Sequence, residues 1–228
     1  IISIAGPKIN NEVNMTNRDY VFNSENFKEK YNLNECHLLN DWEAIAYSYD
    51  FVADSIKTIK DGNKFNNNTL FVGPGTGLGV SFLIDNMLVS PTEVGNTSNS
   101  LSYLSKNFSF DINQNITLEE IVSGNGIANL FKIKTNKDIS SEEVFKMYDD
   151  KDLDAQEIVT GFTKSFANIL SDLALTFMPG NGILLAGSLS RTLFNILDKE
   201  LFIGHFYENK KATHKDILKM ISIGVIFK

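Results

Sequence analysis

The chain has 228 residues, 43 % of them hydrophobic, with a formal charge of −7 and an isoelectric point near 5.0. That length suits one large domain or two small ones; the acidic balance, with no Lys/Arg cluster, argues against nucleic acid and anionic membranes as partners, and no apolar run approaches a membrane span. The single cysteine, Cys36, rules out an intrachain disulfide framework and fits a reducing compartment, so a cytoplasmic location is expected.

Residues 1–5 read as a short apolar strand ended by Gly6-Pro7. No initiator Met or charged leader precedes them, so the strand is entered partway and upstream sequence is expected to be missing. Residues 12–15 and 20–22 form further strand pieces around a turn at Thr16-Asn17, and Asn23 or Ser24 caps a short helix through Tyr31. Residues 36–39 are predicted to be a buried strand, with Cys36 as packing. Asn40-Asp41 come next, and then a helix from Trp42 to about Ile56 with Ala44, Tyr47, Phe51 and Val52 on its inner face. Asn and Asp are the best helix caps, but a carboxylate at the C-terminal end of a strand also projects into the ligand crevice of an α/β fold. Asp41 can serve both ends, since a helix N-terminus keeps it ionised and able to accept a proton.

After a polar loop, residues 61–68, comes Leu70-Phe71-Val72-Gly73-Pro74-Gly75-Thr76-Gly77-Leu78-Gly79-Val80-Ser81-Phe82-Leu83-Ile84. No Lys succeeds the glycines, which excludes a P-loop, and residues 80–84 alternate like a strand, which excludes a dinucleotide fingerprint opening a helix. The stretch is a strand–turn–strand hairpin. Glycines that adopt positive φ can turn their N–H groups onto an anion, with the Thr76 hydroxyl as a further donor; an ordinary hairpin turn is the competing explanation.

Next in the chain are a turn at Asp85-Asn86, a strand over residues 87–90 and a loop over residues 91–96; Glu93, by its type alone, is a solvated loop residue. Thr117-x-x-Glu120 is a capping box opening a helix through Phe131, in which Glu119 is most simply a helix-dipole residue. Gly124 and Gly126 so near its start suggest close backbone packing or a break. Ser140 or Ser141 caps a helix with Val144, Phe145 and Met147 inward. The longest helix spans residues 153–177, with Ile158, Phe162, Phe166, Ile169, Leu173 and Phe177 as its core stripe. Residues 182–186 are a buried strand, Gly187-Ser188 a turn, and residues 191–197 a helix. The apolar end, residues 217–227, must dock on something. The order is α/β with a mainly helical second half.

These motifs, in this order, resemble the bacterial-type glucokinases of the actin/hexokinase-like superfamily. Leu38-Leu39-Asn40-Asp41, the Gly75-Thr76-Gly77-Leu78-Gly79 hairpin, the Glu of Pro91-x-Glu93-x-Gly95, Glu119-Glu120-Ile121-Val122-Ser123-Gly124-x-Gly126 and Leu185-Ala186-Gly187 carry the likeness, which spans nearly the whole chain. The resemblance implies a two-lobed α/β (ribonuclease H-like) fold whose first lobe is incomplete at its N-terminus. Residues 1–51 would be the remainder of that small lobe, with residues 216–228 packing back on it, and residues 52–215 the large lobe. It implies ATP-dependent phosphorylation of glucose at the 6-hydroxyl, with ATP and Mg²⁺ required and a homodimer as the family's assembly.

Asp41 matches the family's catalytic base and Asn40 the neighbouring sugar ligand; Glu93 and Glu119 match the acceptors of ring hydroxyls. Gly75, Thr76, Gly77 and Gly79 match the phosphate loop, and Gly187 and Ser188 the turn beside the adenosine. Asn96 stands where the family has a His that contacts sugar, which leaves open another hexose or an amino sugar. The family's first phosphate loop, Asp-x-Gly-Gly-Thr, does not occur in these residues, so little kinase activity is expected of them alone, and a non-catalytic sugar-binding protein is the reading from another class. One Cys and three scattered His (His37, His205, His214) cannot form the zinc motif of the related repressor/kinase proteins.

Overall fold

The computed structural model describes residues 1–15, 18–98, 101–112 and 116–228; the expected turn at Thr16-Asn17 lies outside them. The first part holds β1 (Ile2–Ile4), the short antiparallel sheet β2 (Lys8–Ile9), β3 (Glu12–Asn14) and β4 (Val21–Asn23), then α1 (Ser24–Lys30) and β5 (Leu38–Asn40), which pairs parallel with β1. Asn23 caps α1, as its side-chain oxygen accepts from the N–H groups of Glu25 and Asn26. Strand β5 begins two residues later than expected, and Cys36 lies half-buried before it.

Helix α2 (Asp41–Tyr47) stops at Ser48, followed by α3 (Tyr49–Val52), a 3-10 turn and strand β6 (Ile56–Lys60). One helix to Ile56 was the expectation, and Tyr47 and Phe51 were to face inward; both are exposed. The buried side of α2 is instead Trp42, Ile45 and Ala46, and residue 56 already belongs to a strand because its partner, β11, lies at the far end of the chain.

Strands β7 (Thr69–Pro74), β8 (Leu78–Ile84), β9 (Leu88–Thr92), β10 (Gly182–Leu185) and β11 (Ile223–Ile226) complete a six-stranded sheet in the order β6-β11-β10-β7-β8-β9. Its centre, β7, β10 and β11, is parallel; β6, β8 and β9 run antiparallel to their neighbours. Successive side chains point to opposite faces. Leu70, Val72 and Val80 therefore join one core, and Phe71 and Leu83 join another beneath α2.

The first of these cores is filled by α7 (Leu153–Phe177), which has the predicted bounds and the predicted stripe, together with α4 (Leu101–Leu104), α5 (Gly124–Thr135), α6 (Ser141–Asp149), α8 (Ser188–Ile196), α9 (Lys199–Phe206) and α10 (Ala212–Met220). Phe162 and Phe166 of that stripe stack at 5.8 Å.

Three further expectations change. The helix from Thr117 to Phe131 is two elements: a 3-10 turn, Leu118–Glu120, and α5, whose N-terminus is capped by Ser123. At Gly126 a Cβ would lie 2.9 Å from the Glu120 backbone, so the close approach demands glycine there. Helix α8 starts at Ser188 rather than near Arg191. Residues 223–226, expected against the small lobe, form an inner strand of the six-stranded sheet, though Ile226 also packs in the cluster holding Ala46 and Trp42 of α2. Among the described residues no helix is long and apolar enough to cross a membrane.

Candidate active site

The N-terminus of α2 is built by a reciprocal capping box. The Asn40 side-chain oxygen accepts from the Trp42 N–H at 2.8 Å, and Glu43 Oε2 accepts from the Asn40 N–H at 2.7 Å. Asn40 Nδ2 also donates to the Gly6 carbonyl at 2.7 Å, tying the helix to the end of β1. Asn40 is thus largely a structural residue, with one amide hydrogen left for a ligand.

Glu43 is buried and takes the Lys8 ammonium at 3.2 Å. Lys8 and Glu43 were not singled out from the sequence, although Asn40-x-x-Glu43 is a capping-box spacing. Glu43→Ala is expected to lower the unfolding free energy by about 2–3 kcal/mol, since it removes a cap and leaves a half-buried ammonium unpaired. Glu43→Gln keeps an acceptor for Asn40 and costs less; urea unfolding of the two variants checks this.

Asp41, the first residue of α2, is half-buried, and burial pushes its carboxyl above the usual aspartate value while the N–H groups of Trp42 and of Asp41 itself pull it down. Glu93 lies at the end of β9. Partial burial raises its carboxyl, its contact with Asn96 lowers it, and the charges of Glu119 and Asp41 raise it further. Asn96 Nδ2 donates to Glu93 Oε2 at 3.4 Å. Glu119 comes from the 3-10 turn before α5, and its Oε2 accepts from the Leu78 N–H at 3.3 Å. A Cβ on Gly77 would overlap that carboxylate, and one on Gly95 would lie 3.2 Å from it. Asp41, Glu93 and Glu119, far apart in sequence, thus lie near enough for the charges of Asp41 and Glu119 to act on Glu93, with Asn96 bonded to Glu93 and Glu119 against the start of β8.

The hairpin tip, Gly75-Thr76-Gly77, adjoins this group through Gly77, whose space the Glu119 carboxylate takes. Gly75 and Thr76 are exposed, a Cβ on Gly75 would meet open space, and the Gly75 carbonyl accepts from the Gly124 N–H at 2.8 Å. The expectation of positive φ at the hairpin fails, since among the described residues the glycines in that region of backbone space are Gly6, Gly182 and Gly187. Gly73, Gly77 and Gly79 are glycine because neighbouring side chains occupy the space a Cβ would need. Gly187, with φ +99, turns the chain from β10 into α8, and with Ser188 it is exposed; no side chain caps that helix, so its first N–H groups are open. Because β10 lies beside β7, this turn adjoins the hairpin at the C-terminal ends of parallel strands, where ligands bind in open α/β sheets.

The family profile described as Glucokinase matches residues 1–228. The glucokinase of Sinorhizobium fredii is 28% identical over 238 residues, covering 97% of this chain and 69% of that protein. Among solved structures, a glucokinase from an Antarctic psychrotroph superposes with a TM-score of 0.78 at 22% identity, over 99% of this chain and 74% of that one. A glucokinase of Streptomyces griseus in complex with glucose and AMPPNP gives 0.55 at 17% identity, over 85% and 62%. These likenesses show the α/β fold of the actin/hexokinase-like sugar kinases.

Proposed function

The chain belongs to the glucokinase family, and we propose that its cleft transfers the γ-phosphoryl of ATP to the 6-hydroxyl of glucose. The observation that carries this is the convergence of Asp41, Glu93 and Glu119 beside the glycine hairpin. Asp41 takes the hydroxyl proton as the sugar oxygen bonds to the γ-phosphorus and the bond to the β-bridging oxygen breaks. Glu93 and Glu119 accept from ring hydroxyls, which rejects ligands lacking them, with Asn40 and Asn96 as neutral partners. The Gly77 N–H and the Thr76 hydroxyl face the phosphates, with open space beside Gly75 to admit them, while Gly79, inside the strand pair, shapes the hairpin beneath and Gly187 and Ser188 adjoin the adenosine. Phosphoryl transfer needs positioning and charge neutralisation more than covalent help, and this set suits that demand.

Among the described residues no three His, Cys, Asp or Glu side chains gather so as to hold a metal ion. Mg²⁺ carried on the nucleotide's phosphate oxygens, its usual mode, would neutralise their charge. The binding half of the proposal is tested with the only tryptophan, Trp42, next to Asp41. Glucose is expected to change its fluorescence saturably, with mannose, galactose and N-acetylglucosamine weaker. Equal responses to all four, or none from a folded chain, would overturn the assignment of Glu93 and Glu119 as hydroxyl acceptors for glucose.

A further inference from the structure

Gly73 and Gly79 stand directly opposite each other in the β7–β8 register, on the face that packs against α2. Side chains of such a pair share one face, so two glycines leave a slot free of Cβ atoms. The Trp42 indole fills it. A Cβ on Gly79 would overlap Nε1, Cδ1 and Cε2 of the five-membered ring, and one on Gly73 would overlap Cη2 and Cζ2 of the six-membered ring. The Trp42 peptide is held too, because Ser81 Oγ donates to its carbonyl at 2.8 Å. The indole thus lies across both strands of the hairpin, one residue after Asp41.

We propose that Trp42 is a positioning residue whose indole, seated in the Gly73–Gly79 slot, sets the placement of Asp41 relative to the phosphates at the hairpin tip. Gly79 then acts on catalysis through the indole and not through a phosphate oxygen. The inference rests on the assignment of Asp41 as base and of the hairpin tip as phosphate site.

A double-mutant cycle on the full chain separates these roles. Gly79→Ala pushes the indole out of its seat and should lower kcat by about tenfold or more, since sub-ångström to ångström misplacement of a reacting group is that costly, with KM for ATP within about twofold. The emission of the lone tryptophan should shift to the red. Trp42→Leu should lower kcat similarly, and the double variant should be no slower than Trp42→Leu alone, because the added methyl then has room. Effects that multiply, or a Gly79→Ala variant with raised KM for ATP and unmoved emission, would overturn the proposal in favour of direct phosphate contact. If either variant fails to fold by circular dichroism, Ser81→Ala decides. It removes only the bond to the Trp42 carbonyl, and a shifted emission with kcat lowered about threefold is expected from loss of one such bond; unchanged kcat and emission would sink the idea. Asp41→Asn distinguishes failure of the base from failure of its positioning. Wild-type turnover in that variant refutes the base, whereas a dead Asp41→Asn with multiplicative cycle effects refutes the role of Trp42 alone.

Discussion

Asp41→Asn is expected to lower kcat by about a thousandfold or more while glucose still binds within a few-fold of wild type, the loss typical of removing a general base. Asparagine keeps the shape and the helix-starting position but cannot take the hydroxyl proton. The wild-type kcat/KM should fall off on the acid side at a pH above the ordinary aspartate value of 3.8, because burial raises the Asp41 carboxyl, and the residual activity of the variant should lose that limb. The stability consequence has the opposite sign. Folded Asp41 holds its proton more tightly than the unfolded chain does, so stability declines as pH rises from the ordinary value through the raised one, and the cost is complete above it. Asp41→Asn should therefore be no less stable than wild type at pH 7, and urea midpoints across pH 3 to 8 check this. A variant lost to unfolding at neutral pH would show that Asp41 serves the helix more than the chemistry.

Glu119→Ala should lower kcat/KM for glucose by about a hundredfold, because hydrogen bonds to an ionised acceptor contribute roughly 1.5–3 kcal/mol. The change also strips the Leu78 N–H of its acceptor at the hairpin tip. Glu119→Gln, which keeps an acceptor without the charge, should fall between. Gly77→Ala reaches the same carboxylate from the other side, since its methyl would take the place of Glu119 Oε2. Its expected signature is a raised KM for glucose, although residue 77 belongs to the loop assigned to phosphate. Steady-state kinetics with both substrates varied distinguishes the two. A change confined to KM for ATP in Glu119→Ala would remove Glu119 from the sugar site.

Elements ruled by near neighbours were legible in the sequence. The bounds of α7 follow from an apolar stripe of helical period, and the hairpin from two apolar runs around a turn. The Asn23, Ser140 and Asn40 caps follow from local hydrogen bonding that any such sequence offers. Strand β6 was hidden because its partner lies at the other end of the chain, and the helix begun at Trp42 offers no local stop as strong as that pairing. The cap role of Asn40 and the carboxylates as a class were readable from residue type.

What each glycine is for was not. Gly73, Gly77 and Gly79 look alike in sequence, as flexible turn residues. In the folded chain two of them seat an indole and one makes room for a carboxylate. By itself the sequence determined the α/β class, the hairpin, the long core helix and the family to which the chain belongs, because periodicity, turn chemistry and motif order are local properties. Only the tertiary structure decided that the charges of Asp41 and Glu119 reach Glu93 and that the Trp42 indole sits in the hairpin, one residue after Asp41. Contacts of that kind depend on strand register and on which atoms occupy the space above a glycine, and neither is written within reach of any one residue's neighbours.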